Sequence, residues 1–187
     1  NKNLTIQEIF GRAVKNHQEG KTDIAQDLYD QILKIDPNHS ISLNNIGTIF
    51  QDLGENQKAK DCYEKAIAIN PNYAEAYYNI GIIFQELKEN QKAKELFEKA
   101  IEINPNYSDA HNNLGNVFKD SGNLQKAKEC YEKAIENNPN HTDAHNNLGI
   151  TFKNLGENGK AKECYEKAIE IDPNHSTSHN NLGVMFE

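Results

Sequence analysis

The chain has 187 residues, 36% of them hydrophobic, and a net charge of −8. That apolar share is low for a spherical core but enough for a repeat stack, which buries only a narrow seam. The acidic balance and a lone arginine, Arg12, exclude a nucleic-acid or anionic-membrane partner, and no apolar run is long enough to span a bilayer.

In chain order, residues 1–5 are expected to be a frayed lead-in. Repeats follow at 6–39, 40–73, 74–107, 108–141 and 142–175, each starting 34 residues after the last, with a partial sixth at 176–187. A strict period of this length predicts a solenoid, here a single domain over 1–187. The first repeat diverges most: Asn16 stands where later repeats have phenylalanine, and Gly11 where they have asparagine, as suits a capping unit.

Repeats two to five each predict two helices. The first carries Gly47, Gly81, Gly115 or Gly149, with Phe50, Phe84, Phe118 or Phe152 three residues on, so both lie on one face. Glycine inside a helix costs roughly 1 kcal/mol against alanine, which implies close approach to a neighbouring helix. A turn follows, with Gly54, Gly122 or Gly156 at the left-handed position; Lys88 holds that place in repeat three and predicts a strained or recast turn. The second helix carries an Ala–Tyr–Ala or Ala–Phe–Ala stripe, such as Ala59, Tyr63 and Ala66, and proline ends it. Ser121 and Asn137 replace a leucine and an isoleucine, which makes repeat four the expected soft unit. The last fragment supplies a first helix without its partner, so its Leu182 and Phe186 end is a candidate for self-association.

Cys62, Cys130 and Cys164 share one repeat position with Leu28 and Leu96. An apolar slot is predicted there, not a disulfide, and hence a reducing intracellular compartment, cytoplasmic or nuclear. The chain lacks an initiator methionine and is expected to be a piece of a longer protein. Asn-Xaa-Ser/Thr recurs at Asn38, Asn106, Asn140 and Asn174, where the serine or threonine helps to start a helix. His141 and His145, and His175 and His179, have a spacing that can hold a metal on a helix, but nothing completes a ligand set. The lysine runs, such as Lys92 and Lys94, face glutamates such as Glu98 in ordinary surface pairs. No nucleophile–base pair, phosphate loop or recurrent acid pair is present, so no enzyme activity, cofactor or metal is expected.

Gly or Ala, then Tyr or Phe, Gly, Ala, Tyr or Phe, Ala and Pro at these offsets resemble the tetratricopeptide repeat. The resemblance implies an all-α, alpha–alpha superhelix, with the first helix of each pair lining a concave face where a protein partner binds. The segment NHTDAHNNLG (140–149) and its equivalents place one asparagine at a fixed site: Asn45, Asn79, Asn113, Asn147 and Asn181. This ladder resembles the superhelix of O-linked N-acetylglucosamine transferase and of Spindly, in which the asparagines bind extended peptides. The chain would then be the substrate-binding part of a larger glycosyltransferase. The chaperone-tail binders of the same family use clamp lysines and an arginine; Asn44, Tyr78, Asn112 and Asn146 stand at those places, so that activity is not expected, and these four count instead among the candidate peptide contacts.

A carboxamide offers two donors and an acceptor with two lone pairs, so it can pair with a peptide N–H and C=O together. Helices roughly 8–10 Å apart and a strand rise of about 3.3 Å per residue would bring one asparagine to about every third peptide residue. The alternative is that these amides bond within and between repeats. Asn116, Lys119 and Lys153 lie further along the same helices and are candidates for specificity. Glu75, Asp109 and Asp143 near helix starts either add specificity or serve the helix dipole. Asp52, Glu86 and Asp120 near helix ends tilt the expected peptide towards some positive charge.

Overall fold

A computed structural model describes residues 4–185, which form eleven α-helices and no strand. They are α1 (Ile6–Gln18), α2 (Thr22–Ile35), α3 (Ser40–Asp52), α4 (Asn56–Ile69), α5 (Ala74–Glu86), α6 (Asn90–Ile103), α7 (Ser108–Asp120), α8 (Leu124–Asn137), α9 (Thr142–Asn154), α10 (Asn158–Ile171) and α11 (Ser176–Gly183). The chain divides into two compact units, Asn1–Ile83 and Phe84–Glu187, and the division falls inside α5. Among the described residues no helix is long and apolar enough to cross a membrane.

In the first unit, α1 opens on a capping box. Thr5 Oγ1 accepts from the Glu8 amide at 3.2 Å and Glu8 Oε2 accepts from the Thr5 amide at 2.8 Å. Such a box contributes roughly 1 kcal/mol. The lead-in therefore ends in an ordered cap; residues 1–3 lie outside the described residues. The core joins Ile9 and Ala13 of α1 to Tyr29 and Ile32 of α2 and to Ile46 and Ile49 of α3. Nothing approaches within 4 Å of a Cβ placed on Gly11.

The glycines of the first helices explain the inner packing. A Cβ on Gly47 would stand 2.5 Å from Tyr63 Cε1, one on Gly115 2.6 Å from Tyr131 Cε1, and one on Gly149 2.5 Å from Tyr165 Cε1. The close neighbour is thus the tyrosine ring of the same repeat's second helix, not a helix backbone. Each of these rings is fully buried. In the second unit Tyr131 and Tyr165 share a core with Leu148 and Phe152, and Leu182 of α11 packs partly buried against it. Val184 is 48% exposed, and Phe186, the other half of the expected association surface, lies outside the described residues.

The turns between paired helices follow the glycine rule with one exception. Gly20, Gly54, Gly122 and Gly156 have φ between +72° and +79°, and Lys88 is held at φ +62°. A side chain there costs roughly 1–2 kcal/mol, so the expected strain is present. The junctions between repeats have a device of their own. Asp36, Asn70, Asn104, Asn138 and Asp172 each accept from the amide two residues on, at 3.0–3.2 Å, which closes an Asx turn across the following proline. At two of these junctions a histidine, not the neighbouring serine or threonine, caps the next helix. His39 Nδ1 accepts from the Ser42 amide at 3.2 Å, and His141 Nδ1 from the Ala144 amide at 3.3 Å.

The two polar replacements in repeat four both find acceptors. Ser121 Oγ donates to the Phe118 carbonyl at 2.8 Å, and Asn137 Nδ2 donates to the Pro105 carbonyl at 3.3 Å. The place of Asn137 is also shallow, since Ile35 and Ile69 at its equivalents are 59% and 37% exposed. Lys94 and Lys128 pair with Glu98 and Glu132 four residues on, at 3.6 and 3.8 Å. The same lysines reach over phenylalanine rings. Phe118 lies under Lys94 and Lys126, at 5.7 and 5.3 Å, and Phe152 under Lys128 and Lys160, at 5.6 and 5.2 Å.

Candidate functional site

The candidate face is built from the odd-numbered helices, and in each unit two adjacent asparagines divide its work. In the first unit Asn44 of α3 is fully buried. Its Nδ2 donates to Glu75 Oε1 of α5 at 3.1 Å, and its Oδ1 accepts from Asn79 Nδ2 at 3.2 Å. Asn45 is half-buried and donates to the Tyr29 hydroxyl at 3.1 Å. Tyr78 is half-buried beside Asn79.

The second unit repeats the arrangement twice. Asn147 Nδ2 donates to Asn112 Oδ1 at 3.1 Å, and Asn181 Nδ2 donates to Asn146 Oδ1 at 3.0 Å. Asn112 and Asn146 are buried, and Asn112 Nδ2 also donates to Asn113 Oδ1 at 3.2 Å. The fully buried Ser178 hydroxyl adds a second donor to Asn146 Oδ1, at 3.2 Å. Asn44, Asn112 and Asn146 are therefore internal acceptors below the surface. Asn79, Asn147 and Asn181 are half-buried and each bonds backward through one amide hydrogen; a carboxamide has a second hydrogen and an oxygen besides.

Within each unit the floor beneath these amides is made of tyrosine hydroxyls. Tyr63 donates to Gln51 Oε1 at 2.8 Å, and Tyr131 to Asn116 Oδ1 at 2.8 Å. Burial pushes the Tyr63 phenol up to about 12 and raises those of Tyr29, Tyr131 and Tyr165. Asn116 is thus tied to the floor. Tyr165 is fully buried and its hydroxyl has no partner among the described residues. Lys119 is half-buried and Lys153 exposed.

The acids near helix starts hold repeats together. Glu75 takes the Asn44 amide. Asp109 Oδ1 lies 3.2 Å from His141 Nε2, off the line of a well-formed hydrogen bond, and Asp143 Oδ1 is bonded to His175 Nε2 at 3.2 Å. The His141 imidazole holds the Asp109 carboxyl below its ordinary value, against the opposing effect of burial. Because His141 Nδ1 accepts the Ala144 amide, its proton sits on Nε2, towards Asp109. His111, His145 and His179 bond through Nε2 to the carbonyls of Pro105, Pro139 and Pro173 at 2.9, 3.0 and 2.9 Å. Both members of each spaced histidine pair are therefore used in junctions. Among the described residues no three His, Cys, Asp or Glu are placed to hold a metal ion. The three thiols are half-buried, and burial raises all of them, Cys130 and Cys164 to about 11.

The first asparagines, the histidine caps and the Tyr165 hydroxyl were not separable in the sequence by function. For Tyr165 a signal exists. Its acceptor positions 15 and 12 residues earlier hold Ile150 and Lys153, where Tyr63 has Thr48 and Gln51.

Models of the tetratricopeptide repeat match residues 42–106, 108–141, 142–175 and 164–187. No curated protein matches the chain. Among solved structures, MamA is similar at 30% identity and a TM-score of 0.70, over 88% of this chain and 96% of MamA. YrrB, described as a tetratricopeptide-repeat protein with an unusual peptide-binding site, is 24% identical with a TM-score of 0.67, over 94% of this chain and 91% of YrrB. PilF of Pseudomonas aeruginosa is 20% identical with a TM-score of 0.85, over 96% of this chain and 88% of that one.

Proposed function

The chain belongs to the tetratricopeptide repeat family, and from that premise we propose that this interaction scaffold binds an extended peptide segment of a partner protein along the asparagine-bearing faces of its first helices. The observation that carries this reading is the division of labour between a buried asparagine of one repeat and a half-buried one of the next. Asn44, Asn112 and Asn146 take the internal bonds, so Asn79, Asn147 and Asn181 are fixed in orientation yet keep donor and acceptor capacity at the surface. Fixed amides lose little entropy on binding and recognise backbone, which gives affinity with weak sequence preference. The peptide-binding description of YrrB accords with this. The scaffold performs no chemistry of its own.

The acids invoked for a basic peptide are partly spent: Glu75, Asp109 and Asp143 are engaged by asparagine or histidine. Asp52 and Asp120 remain exposed at helix ends and would favour basic side chains there.

The test is selection of binders from a phage-displayed random peptide library, then fluorescence anisotropy with the selected peptides. Replacing Asn79, Asn113 and Asn147 together by alanine should weaken binding at least tenfold while helicity is retained. Unchanged affinity in that variant, or no selected peptide at all, would count against the reading.

A second reading, self-association through α11, has one observation in its favour. A Cβ on Gly183 meets nothing within 4 Å, whereas Gly47, Gly115 and Gly149 each lie against a tyrosine ring. Sedimentation that depends on concentration, and is abolished by Leu182→Glu, would support it; concentration-independent sedimentation would remove it.

A further inference from the structure

We propose that the junction between α10 and α11 is a proton-operated latch: a second proton on the His175 imidazole completes a chain of hydrogen bonds that seats α11 against α9. The latch belongs to the fold of the second unit and does not depend on what binds the faces of the first helices.

The chain runs through five side chains. His175 Nε2 is bonded to Asp143 Oδ1 at 3.2 Å, and because a carboxylate only accepts, that nitrogen carries a hydrogen. His175 Nδ1 lies 2.7 Å from the Ser178 hydroxyl, which in turn lies 3.2 Å from Asn146 Oδ1. Asn146 Oδ1 also accepts from Asn181 Nδ2 at 3.0 Å. Ser178 and Asn146 are buried, so a bond missed there is costly.

A hydroxyl has one hydrogen to give. With a neutral His175, that hydrogen serves either Nδ1 or Asn146 Oδ1. Given to Nδ1, it leaves Asn146 without its bond. Given to Asn146, it leaves two lone pairs facing each other across 2.7 Å. A proton on Nδ1 removes the conflict. Nδ1 then donates to Ser178 Oγ, Ser178 donates to Asn146 Oδ1, and the Asp143 carboxylate balances the new charge. Ser178 and Asn181 of α11 then both hold the same oxygen of α9.

The other histidine caps lack one part or another. His141 Nδ1 accepts the Ala144 amide at 3.3 Å, so a proton there displaces the cap. Asp109 and Asn112 stand at the places of Asp143 and Asn146, but Ala144 stands at that of Ser178. His39 has the serine, with Ser42 Oγ at 2.9 Å from Nδ1, but Gln7 and Phe10 stand at the places of the acid and the asparagine.

The remaining titratable groups around the last junction are turned elsewhere. Asp172, which ends α10, accepts the Asn174 amide at 3.0 Å, and Lys167 of α10 pairs with Glu170 at 2.9 Å. His179 of α11 is bonded to the Pro173 carbonyl at 2.9 Å, and His145 of α9 to the Pro139 carbonyl at 3.0 Å. The charge that meets the His175 ring is Asp143.

Amide hydrogen exchange followed by NMR on the whole chain tests the latch, with rates expressed as protection factors so that the intrinsic pH dependence cancels. Between about pH 8 and about pH 5, where histidine changes charge, protection of the Asn181 and Leu182 amides of α11 should rise about tenfold. Protection of the Asn147 and Leu148 amides of α9 should not rise. Ser178→Ala should abolish the rise at α11. Ala144→Ser should create one at α9, because it restores the missing hydroxyl between His141 and Asn112. No rise at α11 in the parent, an equal rise at α9, or a rise that survives Ser178→Ala overturns the latch. Should Ser178→Ala release α11 altogether, Ala144→Ser decides: a new rise at α9 supports the latch, and none overturns it.

Discussion

Asn147 gives one amide hydrogen to the buried oxygen of Asn112, 35 residues earlier in the chain, across 3.1 Å. Removing either partner strands the other. Asn112→Ala and Asn147→Ala should each cost roughly 1–3 kcal/mol, because a buried polar atom loses its partner. The double variant should cost less than the sum of the two. Urea unfolding of all four proteins checks this; simple additivity would mean that the bond contributes nothing.

Gly149 and Gly159 should respond in opposite directions to alanine. At Gly149 the new methyl meets the Tyr165 ring at 2.5 Å, and overpacking of this kind costs roughly 1–3 kcal/mol. At Gly159, inside α10, nothing lies within 4 Å, and better helix propensity should stabilise by about 0.5 kcal/mol. Thermal melting of the two variants separates the effects.

Lys88 is the one non-glycine residue at positive φ among the described residues. Lys88→Gly should relieve roughly 1 kcal/mol of backbone strain. A rise in the urea midpoint with an unchanged slope is the expected result.

The thiols of Cys130 and Cys164 are raised from 9.0 to about 11 by burial. Alkylation by iodoacetamide at neutral pH should therefore be about a hundredfold slower than for a free thiol on thiolate fraction alone. The folded values lie above the unfolded ones, so this contribution to stability is complete below pH 9 and is lost as pH climbs towards 11. Replacing both by leucine, the residue at positions 28 and 96, should flatten the alkaline slope of stability relative to the parent.

On the acid side the sign reverses. The His141 imidazole lowers the Asp109 carboxyl, so its contribution is present above the unfolded value and disappears as pH falls through the folded one. Asp109→Asn should lose less stability than the parent between about pH 5 and pH 3, the range of an ordinary aspartate. Guanidinium titrations at several pH values give the comparison.

The helices, their order and the glycine, phenylalanine and proline positions were legible because each rests on residues within one period. Strain at Lys88 was legible for the same reason. What one period cannot show is which of two adjacent polar residues turns towards the next repeat. Asn146 and Asn147 look equivalent in the chain, yet one is an acceptor at 4% exposure and the other is half-buried. The acids of the first turns were open to a helix-dipole reading because their partners, His141 and His175, lie 32 residues on. The histidines offered a metal spacing, but proline carbonyls six residues back take His145 and His179. Long-range polar pairing depends on stacking geometry, to which hydrophobic periodicity is blind.

The backward bonds of Asn79, Asn147 and Asn181 all have the same polarity, with the giver on the later copy and the taker on the earlier. A block of whole repeats can therefore be duplicated or deleted in the gene and still leave complementary ends, provided the seam follows a repeat with the acceptor asparagine and not repeat three, which has Tyr78 there. An insertion of one residue within such a helix cannot be absorbed in this way, because it rotates every later side chain by about 100°. Lengthening by tandem copying is thus open to this lineage, while drift in the spacing is closed to it.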